Sequence, residues 1–245
     1  AVSLSWRSFS ESTLRIRASY KDIFRVPTFT DLYYLRMGNT NLKPEETSQY
    51  NVGVTWSSSC GDWLRHFSIS ADGYYNTVKD KIVALPTMYV WKMMNMGEVD
   101  IKGVDVNLST QFRLPLRMSL LLASTYSFQY AVDVTDPEAK NYKDQIPYTP
   151  RHSGTVSVTL ENPWVNVSYI LTAVGDRYAL PQNIDRNRID SYIEQSISIN
   201  RDFRFRYFGL RLQGELLNLA NVNYDVIQYY PMPGRSWRLS ICLSY

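Results

Sequence analysis

The last eleven residues constrain this chain more than any other stretch. Over 235–245, Trp237, Leu239, Ile241, Leu243 and Tyr245 form one row, and Ser236, Arg238, Ser240, Cys242 and Ser244 form the other. Side chains on a strand alternate between faces, so this is a strand with one apolar face and one small polar face. It also stops on the apolar row, at an aromatic. Chain ends usually fray in water, so a strand that is apolar to its last residue calls for pairing along its whole length. A sheet closed on itself, or the final strand of a membrane barrel, meets that demand.

The same alternation recurs. Leu14, Ile16, Ala18 and Tyr20 alternate with Thr13, Arg15, Arg17 and Ser19, and further rows start near Tyr50, Phe67, Val104, Met118, Val156, Val165, Ile193 and Leu210. About ten strands follow, each with one wet face, as an antiparallel meander requires. Residues 1–6 alternate too briefly to assign. The connections alternate as well: short at 58–64, 113–116, 161–163 and 200–204, long at 21–47, 77–96, 131–151, 175–189 and 219–234. In an up-and-down sheet successive turns fall at opposite ends, so one rim is trimmed and the other elaborated. Outer-membrane barrels have that asymmetry, and Greek-key sandwiches do not predict it. The reading is an all-β, antiparallel up-and-down transmembrane barrel segment occupying residues 1–245 as one unit, apolar row toward lipid and polar row toward a lumen.

Composition is compatible with this. Hydrophobic residues are 44%, and no apolar run reaches the length of a transmembrane helix. Aromatics are 14%, led by 19 Tyr and 6 Trp, residues that suit either a rich soluble core or the boundary between lipid and water. A net charge of +3 without a basic run points to no nucleic-acid partner. Cys60 and Cys242 lie far apart in unlike contexts, which argues against a disulfide framework or a metal-spaced pair. His66 and His152 are isolated from ligand-spaced neighbours, and no G-x-S-x-G elbow occurs. No enzyme, cofactor or metal centre is expected.

Four ordered segments carry a resemblance. Phe24-Arg25-Val26-Pro27-Thr28-Phe29-Thr30-Asp31-Leu32-Tyr33-Tyr34 precedes Gly38-Asn39-Thr40-Asn41-Leu42-Lys43-Pro44-Glu45. Asn95-Met96-Gly97-Glu98 with Ile101-Lys102-Gly103-Val104-Asp105, then Ile146 to His152, then Glu215 to Asn221 with Pro231-Met232-Pro233-Gly234-Arg235, complete the series. Together these resemble the barrel of TonB-dependent outer-membrane receptors, with a departure at Thr40, where the family often has proline. The resemblance implies a Gram-negative outer-membrane location. It also implies energy-dependent uptake of a bulky scarce nutrient, such as a ferric siderophore, haem or cobalamin, through a plugged barrel of about 22 strands. Ten strands match its C-terminal part, so the plug, the N-terminal half of the barrel and the contact for a TonB-type energy-coupling protein are expected outside this sequence. No signal peptide opens the chain, consistent with part of a longer product.

Tyr33, Tyr34 and Arg36 in the first long loop, and Tyr89, Trp91, Met93 and Met94 in the soft apolar stretch 88–96, are the expected ligand contacts, since aromatics and methionines adapt to flat apolar ligands. For both stretches packing within the loops is the commoner role. Arg15, Arg17, Arg211, Glu215 and Arg238 are the expected lumen-facing contacts to a plug. The alternatives are a passive porin-like or adhesin barrel and, last, an outer-membrane hydrolase.

Overall fold

A computed structural model describes residues 1–8, 13–86 and 89–244, without the side chains of Cys60 and Pro86. Tyr245, Met88 and most of the polar stretch 8–12 therefore lie outside the described residues. Eleven strands form one sheet: β1 (Val2–Arg7), β2 (Thr13–Arg25), β3 (Glu45–Cys60), β4 (Leu64–Pro86), β5 (Trp91–Leu114), β6 (Met118–Asp133), β7 (His152–Glu161), β8 (Asn166–Val174), β9 (Tyr192–Arg204), β10 (Gly209–Leu217) and β11 (Ser236–Ser244). Each pairs antiparallel with its neighbours in sequence, and β1 and β11 are the two edges. The expected meander is present.

Register carries the alternation across the sheet. Directly opposed residues in antiparallel strands share a face. One row runs Leu4, Ala18, Val52, Gly73, Val104, Phe128. Farther along, Leu122, Val158, Tyr169, Ile197, Leu216 and Trp237 continue the same apolar face to β11. Aromatics border this face at both ends. Toward the long loops, Tyr20, Tyr50 and Tyr75 form a row with ring centroids 4.9 and 6.4 Å apart. Toward the short turns, Trp56 meets Phe67 at 5.1 Å and Trp63 meets Phe112 at 5.7 Å. From Tyr50 to Trp56, and from Tyr75 to Phe67, the strand rise gives a band of about 20–26 Å.

Two expectations are refined. The brief alternation at 1–6 is a full strand, because β2 pairs with it from Val2↔Tyr20 to Arg7↔Arg15. The connection read at 77–96 is mostly strand: β4 and β5 stay paired out to Pro86↔Trp91, so this loop is a long hairpin projecting beyond the band. The β5–β6 turn at 115–118 places Leu116 and Arg117 both at φ 59°, the mirror-image geometry that suits hairpin twist and normally selects Asn-Gly. The only α-helix among the described residues is the single turn Phe29–Tyr33.

Among the described residues, buried apolar side chains are confined to the long-loop end. Val78, Met96, Val99, Ile101, Ala131 and Ile146 form one cluster, at the projecting parts of β4, β5 and β6 and the loop over them.

Candidate functional site

The loop tier is one consolidated body, and the first sequence motif is its scaffold. Thr28 caps the short helix: its hydroxyl accepts from the Asp31 N–H at 3.2 Å, and Asp31 accepts from the Thr28 N–H at 2.9 Å. Arg25 then spans Asp31 (3.1 Å) and Glu45 (3.5 Å), closing the base of the loop where β2 ends and β3 begins. Glu45 also accepts from the Ile82 N–H at 3.1 Å. The Thr28 amide, with Arg25 adding its charge, holds the Asp31 carboxyl below the usual carboxylate range.

Asparagines fasten the loops, two of them by pairing with a distant segment and one within its own. The Asn95 amide accepts from the Lys43 N–H (2.9 Å) and donates to the Lys43 carbonyl (3.1 Å), pairing with one residue's backbone as a strand neighbour would. Asn183 does the same to Gln145, at 2.7 and 3.0 Å, and Asn218 to Val222, at 2.8 Å for both bonds. Asn39 adds a bond to the Met93 carbonyl at 3.1 Å, and the Met93 N–H donates to the Met37 carbonyl at 2.9 Å. Loop 26–44 is thereby fixed to the β4–β5 hairpin.

A residue that sequence reasoning missed does comparable work. Arg177, 3% exposed, donates to the Asp225 and Val226 carbonyls at 2.6 and 3.1 Å and lies 5.6 Å from the Tyr192 ring. Nearby, Tyr224 stacks on Tyr192 at 4.0 Å and donates to Glu194 at 2.7 Å; burial, then that bond, push its phenol well above the usual range. An arginine in a polar loop ordinarily signals solvent, so nothing in the local sequence marked Arg177 as buried.

The expected ligand contacts divide. Tyr33, Tyr34 and Arg36 are exposed on the first loop, with Arg36 at φ 68°. Tyr89, at the hairpin tip, is 91% exposed. Trp91 and Met93 lie in the strand row of Asn95, Val99 and Ile101, whereas Met94 lies on the opposite row. Trp91 also contacts Tyr148 of the third long loop, with centroids 5.6 Å apart. The backbone bonds at Met93 bring the first loop and the hairpin together, and Trp91 links both to a third segment.

The expected lumen residues share the polar face, and most are engaged within the wall. Arg17 reaches Asp72 at 2.8 Å, two strands away, over Gly53. A Cβ on Gly53 would stand 2.0 Å from the Asp72 carboxylate, so only glycine leaves room for that pair. Arg211 holds Asp202 with two bonds, at 2.6 and 3.0 Å, and Arg238 bonds Glu215. Arg15 has no ion pair among the described residues. No three His, Cys, Asp or Glu side chains gather as for a metal ion among the described residues. A concavity of about 700 Å³ lies on the apolar face, where Gly154 and Ala173 leave space beside Tyr126, Val156, Leu171 and Ile193.

This arrangement offers binding surfaces at one rim and a polar wall beneath them. A family model described as TonB dependent receptor-like, beta-barrel matches residues 1–219. The vitamin B12 transporter BtuB of Photobacterium profundum is 27% identical over 236 residues, covering 92% of this chain and 34% of that protein. BtuB of Vibrio vulnificus is 24% identical over 221 residues, covering 87% and 32%. The chain thus spans about a third of the length of these relatives. Among solved structures, the siderophore receptor PiuA from Acinetobacter baumannii shares the fold at a TM-score of 0.68 and 15% identity, covering 98% of this chain and 34% of that one. The copper transporter OprC does so at 0.67 and 16%, covering 96% and 37%.

Proposed function

Since the chain belongs to the TonB-dependent receptor β-barrel family, we propose that it supplies part of the wall and ligand-capturing loops of a Gram-negative outer-membrane importer for a bulky metal chelate or corrinoid. Cobalamin is the first ligand to test, given the transporters it is similar to. The observation that carries this reading is the sidedness of the molecule. An apolar wall bordered by aromatic rows bears, at one rim only, loops tied into a single body and tipped with aromatic, methionine and cationic side chains.

No bond is made or broken in such a cycle. Tyr33, Tyr34, Arg36, Tyr89, Trp91 and Met93 capture the ligand, the rings and the thioether covering its apolar faces and Arg36 its negative charge, while Met94 faces the other side of the hairpin. A plug fills the lumen against the polar row that includes Arg15, Arg17, Arg211, Glu215 and Arg238. A TonB-type partner then displaces the plug with energy from outside the barrel. Because three of those arginines are already ion-paired in the wall, a plug group must share or replace Asp72, Asp202 or Glu215 to reach them.

The test is ligand affinity of the intact protein with Tyr89→Ala and Trp91→Ala combined. Binding of cobalamin, haemin or a ferric siderophore, whichever the unaltered protein takes, is expected to weaken roughly tenfold or more, as loss of aromatic anchors does. Unchanged affinity removes these residues from the site, and no binding of any of the three removes the ligand class. For the lumen, cysteines at Arg211 and Arg238 should gain solvent labelling when the plug is deleted.

A further inference from the structure

Charge is sorted between the two rims of the sheet in a way that ligand capture leaves unexplained. Every lysine lies toward the long loops, from Lys21 through Lys143, and arginine is the only permanently charged base at the short-turn rim. Carboxylates there are few among the described residues. Asp202 is taken by Arg211, Asp62 lies 3.8 Å from Arg113, and Glu161 stands at the next turn. Arg201, Arg204 and Arg206, all exposed, form no ion pair among the described residues.

These three arginines are interleaved with rings in the β9–β10 hairpin, as Arg201-Asp202-Phe203-Arg204-Phe205-Arg206-Tyr207-Phe208. Arg201 is opposite Leu212, itself opposite Ile241, so a permanent cation sits in the apolar row, 4.8 Å over the Phe203 ring. The turn is closed by Phe205 N–H donating to the Phe208 carbonyl at 2.9 Å, and the two rings stack at 4.6 Å. Arg206 lies 5.5 Å over Tyr207. Arg204 lies on the opposite, polar row with Asn200 and Asp202, and that row, Arg201 and the neighbouring β7–β8 turn line a concavity of about 410 Å³. Asn162 shapes that turn by accepting from the Trp164 and Val165 N–H groups at 3.0 Å each, and Trp164 borders the concavity.

We propose that this rim binds the phosphodiester headgroup of anionic glycerophospholipids, held by Arg201 on the apolar face with Arg204 and Arg206 adding their charge around the ring-bearing turn below it. A guanidinium stays charged beside hydrocarbon, snorkels along its own stem and matches a phosphate oxygen pair with two donors. Indole and phenol rings occupy the same depth, between acyl chains and water. A soluble anion would recruit the arginines without the rings; a lipid recruits both. The orientation, with the apolar face against hydrocarbon, rests on the membrane reading above.

The test reconstitutes the intact protein in phosphatidylcholine nanodiscs and measures, by electron paramagnetic resonance, immobilisation of spin-labelled phosphatidylglycerol against spin-labelled phosphatidylcholine. The unaltered protein should prefer phosphatidylglycerol, less so at high salt. Arg201→Gln, Arg204→Gln and Arg206→Gln should each lower that preference by roughly fivefold at most, and the triple variant should abolish it. Replacing all three by lysine should retain part of it, and Lys140→Gln should leave it intact. Retained preference in the triple glutamine variant overturns the proposal, as does equal immobilisation of both lipids by the unaltered protein. Acyl-chain immobilisation without headgroup preference leaves the membrane reading standing, while no immobilised component at all defeats both.

Discussion

Between the aromatic rows, Leu239, Ile241 and Leu243 stand about two-thirds open, while at the far end of the strands Val99 and Ala131 have no exposure at all. The first region turns its apolar side chains out and its ion pairs and hydroxyls to the other face. The second, at the long-loop end, buries them as a soluble domain does and holds its backbone with a capping box, asparagine amides and an enclosed arginine. The strands β4, β5 and β6 pass through both without a break. One strand can thus serve two solvents, because only the placement of apolar residues on its alternate rows changes where it leaves the band.

The contrast breaks first under charge. Leu239→Arg should cost about 2–4 kcal/mol of unfolding free energy in lipid vesicles, the penalty of a cation facing the bilayer centre. Leu35→Arg, at a still more open leucine in the first loop, should stay within about 0.5 kcal/mol. Equal costs at the two positions would mean both see the same solvent. Next comes a cavity: Val99→Ala should destabilise the loop tier by about 2 kcal/mol. Hydrogen exchange should then rise over residues 134–146 and stay unchanged in β8 and β9. The smallest effect sharpens how the first loop is latched. Thr28→Ala removes a cap worth about 1 kcal/mol. The Asp31 carboxyl is held low, so its stabilisation is full above the ordinary carboxylate pKa near about 4 and is lost as pH falls through the lower folded value. Proteolysis of residues 26–44 should therefore rise only in acid, and Asp31→Asn should remove that acid step.

Much of the wall was legible because a period of two is visible wherever one face is apolar and the other wet. β11, the meander and the trimmed rim all follow from it. Where both rows become mixed the signal fades: beyond Asn76 the hairpin contains Val78, Ile82, Met93 and Met96 among lysines and acids, and reads as loop although it is paired strand. Residues 1–6 were ambiguous for a different reason, since a strand of six residues is defined by its partner more than by its own pattern. The ligand stretch was legible as composition but not as geometry, because the pleat that separates Met94 from Trp91 and Met93 appears only once the segment is known to be strand. Nothing in the local sequence marks Asn95, Asn183 or Asn218 as latches: the first two meet partners far away in the chain, and the third closes a turn on Val222.

Those three asparagines have a consequence for how such a rim changes over generations. Each grips the peptide link of Lys43, Gln145 or Val222 and ignores what hangs from it. A latch of that kind is indifferent to side-chain identity, so the segments it fastens can be redecorated residue by residue while their path stays put. The capture surface is in this sense an exchangeable fitting on a permanent mount.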